Sequence, residues 1–300
     1  MNIGGERARS ITMDIFWMVV RIAVGVYVGL CLFVFLWQSR YVYYPGRTID
    51  DTPASAGLDF EDLTVQSQDG ETIAGWFVPA GKGGVDSDKA LSVIVCHGNG
   101  GDIGDRVDQV KRFHEMGLNV LIFDYRGYGT STGKSSEQGT YYDALAVWNY
   151  LKDGKKIEPK RIVVFGQSLG GAVASWLAEQ VAPGALILES TFTSALDMGA
   201  KMFPYLPVKL FCTFKYDSLS RIGKIRCPVI VAHGRSDDMI PFEYGRRLFM
   251  AANEPKLFVE LIGDHNSSGV EFDSSYRTAI KEFLKKYMPD SLDNKPGEKQ

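Results

Sequence analysis

Histidine is scarce in this chain: His97, His114, His233 and His265 are the only four in 300 residues. Any chemistry that needs an imidazole base therefore has few places to go. Cysteine is equally scarce, and Cys31, Cys96, Cys212 and Cys227 lack the paired spacings of a structural metal site or a disulfide framework. Cys96 and Cys227 fall in or beside buried-type strands, where a thiol behaves as a small hydrophobe. There is no excess of positive charge. The formal net charge is -3 with no basic stripe, which argues against nucleic acid as a partner. No internal repeat and no Gly-rich phosphate fingerprint is present, and neither a metal nor a cofactor is implied. Core-forming residues are plentiful, with 45% apolar against 23% charged, the balance of a folded globular chain.

The longest apolar run lies near the N-terminus. From Ile15 to Trp37 the only charge is Arg21. As a helix this run spans about 34 Å, enough for a hydrocarbon core of ~30 Å. Arg21 lies near one end, where its stem can snorkel to the headgroups. Trp37, Tyr41, Tyr43 and Tyr44 follow as an expected interfacial aromatic belt. A cleaved signal peptide would need a small-x-small site after the run, and Trp-Gln-Ser-Arg-Tyr supplies none, so the segment reads as an uncleaved anchor. Arg7 and Arg9, helped by Arg21, precede the span, and Arg40 and Arg47 follow it. That small excess places the N-terminus in the cytosol and the remainder on the non-cytosolic side. The expected organisation is a flank over 1–14, a transmembrane anchor over 15–37, a juxtamembrane linker over 38–59, a folded domain over 60–288 and a polar tail over 289–300.

Within the domain, two short strands flank the turn signal Asp69-Gly70 and predict an antiparallel hairpin. Buried-type strands then alternate with helical stretches as far as Tyr287. The strands are expected at 91–96, 120–123, 162–165, 185–188, 229–232 and 257–262. This alternation predicts an α/β fold: a mostly parallel sheet with helices on both faces.

One stretch carries a chemical signature. Val163-Val164-Phe165 lead into Gly166-Gln167-Ser168-Leu169-Gly170, which runs on into a small-residue helical pattern. A bare Gly-x-Ser-x-Gly occurs by chance. With a strand before it and a helix after it, it reads as a nucleophile elbow that exposes the Ser168 hydroxyl at a helix N-terminus. A hydroxyl at neutral pH needs a base and a group to orient that base. His114 lies in a helical stretch and reads as a surface residue. His97 and His233 follow strands directly, where a histidine packs at a strand end. His265 sits in a loop past the final strand, where parallel sheets place their chemistry. It is the best base.

The orienting acid should follow a strand between Ser168 and His265. His233-Gly234-Arg235-Ser236-Asp237-Asp238 offers two adjacent carboxylates, which position alone leaves tied. An oxyanion hole needs two backbone N–H groups. One is expected from Leu169, after the nucleophile, and the other from Asn99 in the glycine-rich turn His97-Gly98-Asn99-Gly100-Gly101.

Taken together, these motifs resemble the α/β-hydrolase superfamily, in particular the membrane-anchored serine hydrolases of the bud-emergence and depalmitoylase-like type. The resemblance rests on 97–101, on Asp124-Tyr125-Arg126-Gly127-Tyr128-Gly129-Thr130-Ser131, on 166–171, on His233 to Asp237 and on Asp264-His265. It covers about Tyr44 to Met288. In that family the acid lies four positions after the His of the His-Gly pair, which selects Asp237. The resemblance implies a Ser168–His265–Asp237 triad, and a short lid between the strands ending near Glu189 and starting near Pro228. The Asp124–Ser131 run is expected to shape a turn rather than to react. The expected activity is hydrolysis of carboxylic esters or thioesters, with a small acyl ester or a lipid as substrate and the membrane as a partner through the N-terminal helix. The alternatives are a serine peptidase acting on small peptides and a non-catalytic scaffold. Oligomeric state is left open.

Overall fold

The computed structural model describes residues 3–81 and 87–288. The expected tail over 289–300, the first two residues of the flank and most of the loop between Gly81 and Asp88 lie outside the described residues. The chain opens with one helix, α1, Ile3–Val42. It takes in the flank and the apolar run, then continues past Trp37 through the first residues assigned from sequence to the linker. Ile11–Val42 is long and apolar enough to cross a membrane, and an 18-residue stretch within it has a mean hydropathy of 2.5. At ~1.5 Å per residue it measures roughly 48 Å, more than a ~30 Å hydrocarbon core requires.

The linker is tied down at its first step. Tyr44–Pro45 pairs in parallel with Gly100–Gly101, and the Tyr44 and Gly46 amides donate to the carbonyls of Asn99 (3.0 Å) and Gly101 (2.8 Å). Tyr43 does not join an interfacial belt. It is buried, with its hydroxyl 2.8 Å from that of Tyr216, so the protein rather than a headgroup satisfies it.

Among the described residues the main sheet has eight strands. β1 (Glu61–Gln66) and β2 (Thr72–Val78) form the expected hairpin, closed where the Gly70 amide donates to Ser67 O. There follow β3 (Ser92–Cys96), β4 (Asn119–Phe123), β5 (Ile162–Gln167), β6 (Ala185–Glu189), β7 (Val229–Gly234) and β8 (Lys256–Leu261). Their order across the sheet is β8-β7-β6-β5-β3-β4-β2-β1, and only the pairings of β2 with β1 and β4 are antiparallel. The central strands carry near-continuous apolar runs because both faces are covered. On one face Ile94, Leu121 and Val164 pack against α3 (Glu137–Asn149), α4 (Leu169–Val181) and α8 (Phe242–Ala251). On the other, Val95, Ile122 and Phe165 pack against α2 (Val107–Glu115) and α9 (Ser274–Tyr287). The connection from β6 to β7 carries three short helices, α5 (Ala195–Met202), α6 (Val208–Phe211) and α7 (Ser218–Ile222), and forms the short lid.

The tightest constraint in the fold is the join between β5 and α4. A Cβ at Gly166 would overlap the Gly170 carbonyl, and a Cβ at Gly170 would overlap the Cys96 carbonyl at the end of β3. Backbone stands against backbone here, so no side-chain adjustment relieves the clash. Gly170→Ala is therefore expected to destabilise the protein by about 1–3 kcal/mol, the usual cost of overpacking. Denaturant unfolding measures it. A midpoint equal to that of the parent would show that the helix can retreat at no cost.

Candidate active site

Ser168 follows β5 with φ 53° and ψ -118°, a region that few residues other than glycine occupy. The strain is held from several sides. The Ser168 amide donates to Glu189 O at 3.0 Å, and its carbonyl accepts from the Gly171 amide (3.0 Å) and from Thr191 Oγ1 (2.6 Å). Such over-determination keeps a side chain projecting from a turn that would otherwise relax.

His265 lies past β8, in a loop shaped by Asp264, whose Oδ1 accepts from the Asn266 and Ser267 amides. Its Nε2 is 3.2 Å from Ser168 Oγ, and its Nδ1 is 2.9 Å from Asp237 Oδ2. The carboxylate fixes the tautomer: Nδ1–H donates to Asp237, which leaves Nε2 to accept the Ser168 hydroxyl proton. The other carboxylate does something different. Asp238 Oδ1 accepts from the His265 amide at 3.4 Å and makes no bond to the ring. Asp237 holds its place because its Oδ1 also accepts from the Met239 and Ile240 amides. Burial pushes the Asp237 carboxyl up. Hydrogen bonds from His233, His265 and Ile240 outweigh that and hold it well below the usual carboxylate range.

The glycine-rich turn after β3 passes close to the serine: a Cβ at Gly98 would sit 3.7 Å from Ser168 Cβ. Asn99 and Leu169 both line the same cavity as Ser168, and neither amide donates to another described residue. The turn is held by the motif after β4. Tyr125 Oη donates to His97 O at 2.9 Å, and Tyr128 Oη to Asn99 O at 2.8 Å. Asn99 Nδ2 donates to Val42 O at 3.0 Å, so the end of α1 is fastened to this turn. His97 is buried behind it, with Nε2 3.6 Å from Asp124 Oδ1. Burial drives His97 down to about 3 and Asp124 up to about 8, so the two pack as neutral groups. His114, in α2, is not part of the site.

The cavity itself encloses about 200 Å³ and is mainly apolar. The lid supplies Met198, Met202, Phe203 and Phe211 to its wall, and α1 supplies Val34, Gln38 and Tyr41.

Sequence comparison agrees with the fold. Residues 87–215 match the family profile described as Hydrolase_4, serine aminopeptidase S33. The chain is 32% identical over 294 residues to the α/β hydrolase domain-containing protein WAV2 of Arabidopsis thaliana, covering 90% of this chain and 94% of that one. It is 33% identical over 220 residues to protein bem46 of Schizosaccharomyces pombe, covering 70% and 73%. The chain belongs to the α/β-hydrolase superfamily, in its bem46-like branch. The Pyrococcus furiosus esterase Pf2001 shares the fold, with a TM-score of 0.66 at 24% identity over 82% of this chain and 98% of that one.

Two residues of this α/β hydrolase were not assigned to the site from sequence. His233 is more than a strand-end packing residue. Its Nε2 lies 3.0 Å from Ile240 O and 3.3 Å from Asp237 Oδ2, so it braces the carboxylate from behind. The His-x-x-x-Asp spacing was the available signal. Glu189 ends β6 and is fully buried. Its Oε1 accepts from Gln167 Nε2 and its Oε2 from the Val270 amide, each at 3.0 Å. It thereby links the strand before Ser168 to the loop after His265. Nothing in the local pattern around Glu189 distinguishes it from an ordinary strand end.

Burial raises the Glu189 carboxyl to about 8, against the Val270 and Gln167 hydrogen bonds. In the unfolded chain it titrates near ~4.3. Between those values the folded state binds more protons, so stability falls as pH rises through this window and levels off above about 8. The slope contributed by one group is at most ~1.4 kcal/mol per pH unit. Glu189→Gln mimics the protonated acid and is expected to lose this slope. Denaturant titrations at acidic and mildly alkaline pH test it, and a variant that tracks the wild type at both would refute the assignment.

Proposed function

We propose that the protein is a membrane-anchored serine hydrolase that cleaves carboxylic esters or thioesters. One observation carries this reading: His265 bridges Ser168 Oγ and Asp237 Oδ2 at the wall of an apolar cavity. Ser168 Oγ attacks the acyl carbon while His265 Nε2 takes its proton. The Asn99 and Leu169 amides receive the developing oxyanion, and Asp237 stabilises the imidazolium. His265 then returns the proton to the departing alcohol or thiol, leaving an acyl-Ser168 ester. Water, deprotonated by His265, attacks that ester. The acid departs and Ser168 recovers its proton. The apolar wall favours acyl chains over polar substrates.

The anchoring half of the proposal rests on α1. Its large side chains from Ile11 to Trp37 are mostly exposed, among them Val26 at 67% and Leu36 at 66%. Each such side chain left in water forgoes about 1.5–3 kcal/mol of burial. A bilayer removes that penalty. Arg7 and Arg9, helped by Arg21 near the start of the span, against Arg40 and Arg47 after it, favour a cytosolic N-terminus with the hydrolase on the opposite face.

The matched family profile bears a peptidase description, so peptide amides are the competing substrates. With the full-length protein in detergent, a fluorophosphonate probe is expected to label the wild type and not Ser168→Ala. Turnover of a p-nitrophenyl ester is expected to fall by about 10³-fold or more in Ser168→Ala and His265→Ala. Undiminished labelling of Ser168→Ala overturns the nucleophile. Faster cleavage of peptide amides than of acyl esters in a matched panel overturns the substrate class.

A further inference from the structure

The lid does not stand clear of the anchor. Tyr27 Oη donates to the Tyr205 carbonyl at 2.9 Å, the Tyr41 and Phe203 rings meet edge to face at 5.3 Å, and the Thr213 amide donates to Gln38 Oε1 at 2.9 Å. The lid therefore runs along the C-terminal part of α1, from Tyr27 to the end of the helix.

This fixes its depth. A helix crosses a bilayer with about 20 residues, and the apolar segment is Ile11–Val42. Wherever a stretch of that length is placed in this segment, Tyr27 falls inside it. A tyrosine hydroxyl in hydrocarbon needs a partner, and the Tyr205 carbonyl is that partner. The lid tip must then lie at the same depth as Tyr27.

Its outer surface suits such a place. Tyr205 is 89% and Leu210 84% exposed, and neither lines the cavity. These side chains continue the exposed apolar surface of α1 instead of facing a core. From Met198 to Tyr216, between Asp197 and Asp217, the chain carries no Asp or Glu; of its lysines, Lys201 donates to Met239 O at 2.6 Å, and Lys209 and Lys215 are exposed. Lysines of this kind reach headgroups while their stems stay among acyl chains, whereas carboxylates would be excluded.

We infer that the lid is inserted in the bilayer leaflet beside α1, and that the acyl cavity between lid and anchor is filled laterally from the membrane. The inference rests on the anchored-hydrolase reading above and extends it: the substrate is a lipid ester or thioester whose chain need not leave the bilayer. Val34 illustrates the arrangement. It is 5% exposed, in contrast to its neighbours on α1, because it faces the cavity beneath the lid. The anchor is thus one wall of the binding site as well as a tether.

The test uses the full-length protein in nanodiscs of phosphatidylcholine and phosphatidylglycerol containing a phosphatidylcholine with a diazirine in its acyl chain. After irradiation, peptide mass spectrometry is expected to find lipid adducts both in α1 and in the lid, over residues 202–210. Adducts in α1 alone overturn the insertion and leave the anchor intact, whether the lid faces water or is capped by a second copy of the chain. Adducts in neither overturn the anchored reading together with this one. A second measurement uses Leu210→Asp, at a position outside the cavity wall. Turnover of a long-chain ester embedded in the nanodisc is expected to fall about tenfold, as a carboxylate resists hydrocarbon, while a short soluble ester is cleaved at the wild-type rate. Equal turnover of the embedded ester by variant and wild type would also overturn the insertion.

Discussion

Strand β5 and helix α4 meet with no room for a side chain between them, and the geometry of the site follows from that contact. The chain must reverse from strand to helix within one residue while α4 presses on the end of β3. The residue at the reversal is forced to positive φ, and it is Ser168. A residue held there cannot fold its side chain back against the strand, so the hydroxyl projects away from the sheet. The same contact brings the turn after β3 alongside Ser168, which is why Asn99 and Leu169 line one cavity with it. Gly166 and Gly170 are needed for packing, and the chemistry of Ser168 is a consequence of that packing.

Around the serine, two carboxyl groups are held in opposite states. Asp237 collects donors from His265, His233 and two backbone amides, and remains ionised in spite of burial. Glu189 also accepts two hydrogen bonds, yet it is sealed between β5 and the loop after His265, and desolvation prevails. An ionised acid there would place a second negative charge in the same low-dielectric region as Asp237. A neutral one joins two segments without adding a charge beside Asp237. Differences in environment, with the same functional group, separate the two roles.

Much of this was legible in the sequence. The strands, the hairpin, the elbow and the loop with His265 are encoded locally, by apolar runs and by glycines in the only places where they fit. Choosing between Asp237 and Asp238 was different, because adjacent carboxylates have the same local pattern. The turn decides: the Met239 and Ile240 amides capture Asp237 and direct its second oxygen to the ring. Glu189 and His233 were missed as members of the site because their importance lies in partners distant along the chain. Tyr43 was misread for a related reason. An aromatic residue after an apolar span looks interfacial until a partner such as Tyr216 is found far along the chain.

The largest departure from the sequence reading concerns the linker, which ties α1 to the turn beside Ser168 instead of separating the helix from the sheet. Asn99 lines the cavity beside Ser168 while its side chain holds the last carbonyl of α1, and its own carbonyl is held by Tyr44 N and Tyr128 Oη. One residue therefore couples the helix end to the turn beside Ser168. A tilt of α1 relative to the sheet would have to break the Val42 bond or carry the Asn99 amide with it. Such a coupling makes little sense for a passive tether, which works best on a slack chain. It suits the function proposed above, in which α1 is also a wall of the cavity, because in that reaction the acyl carbon and the oxyanion donors would be positioned by the same helix.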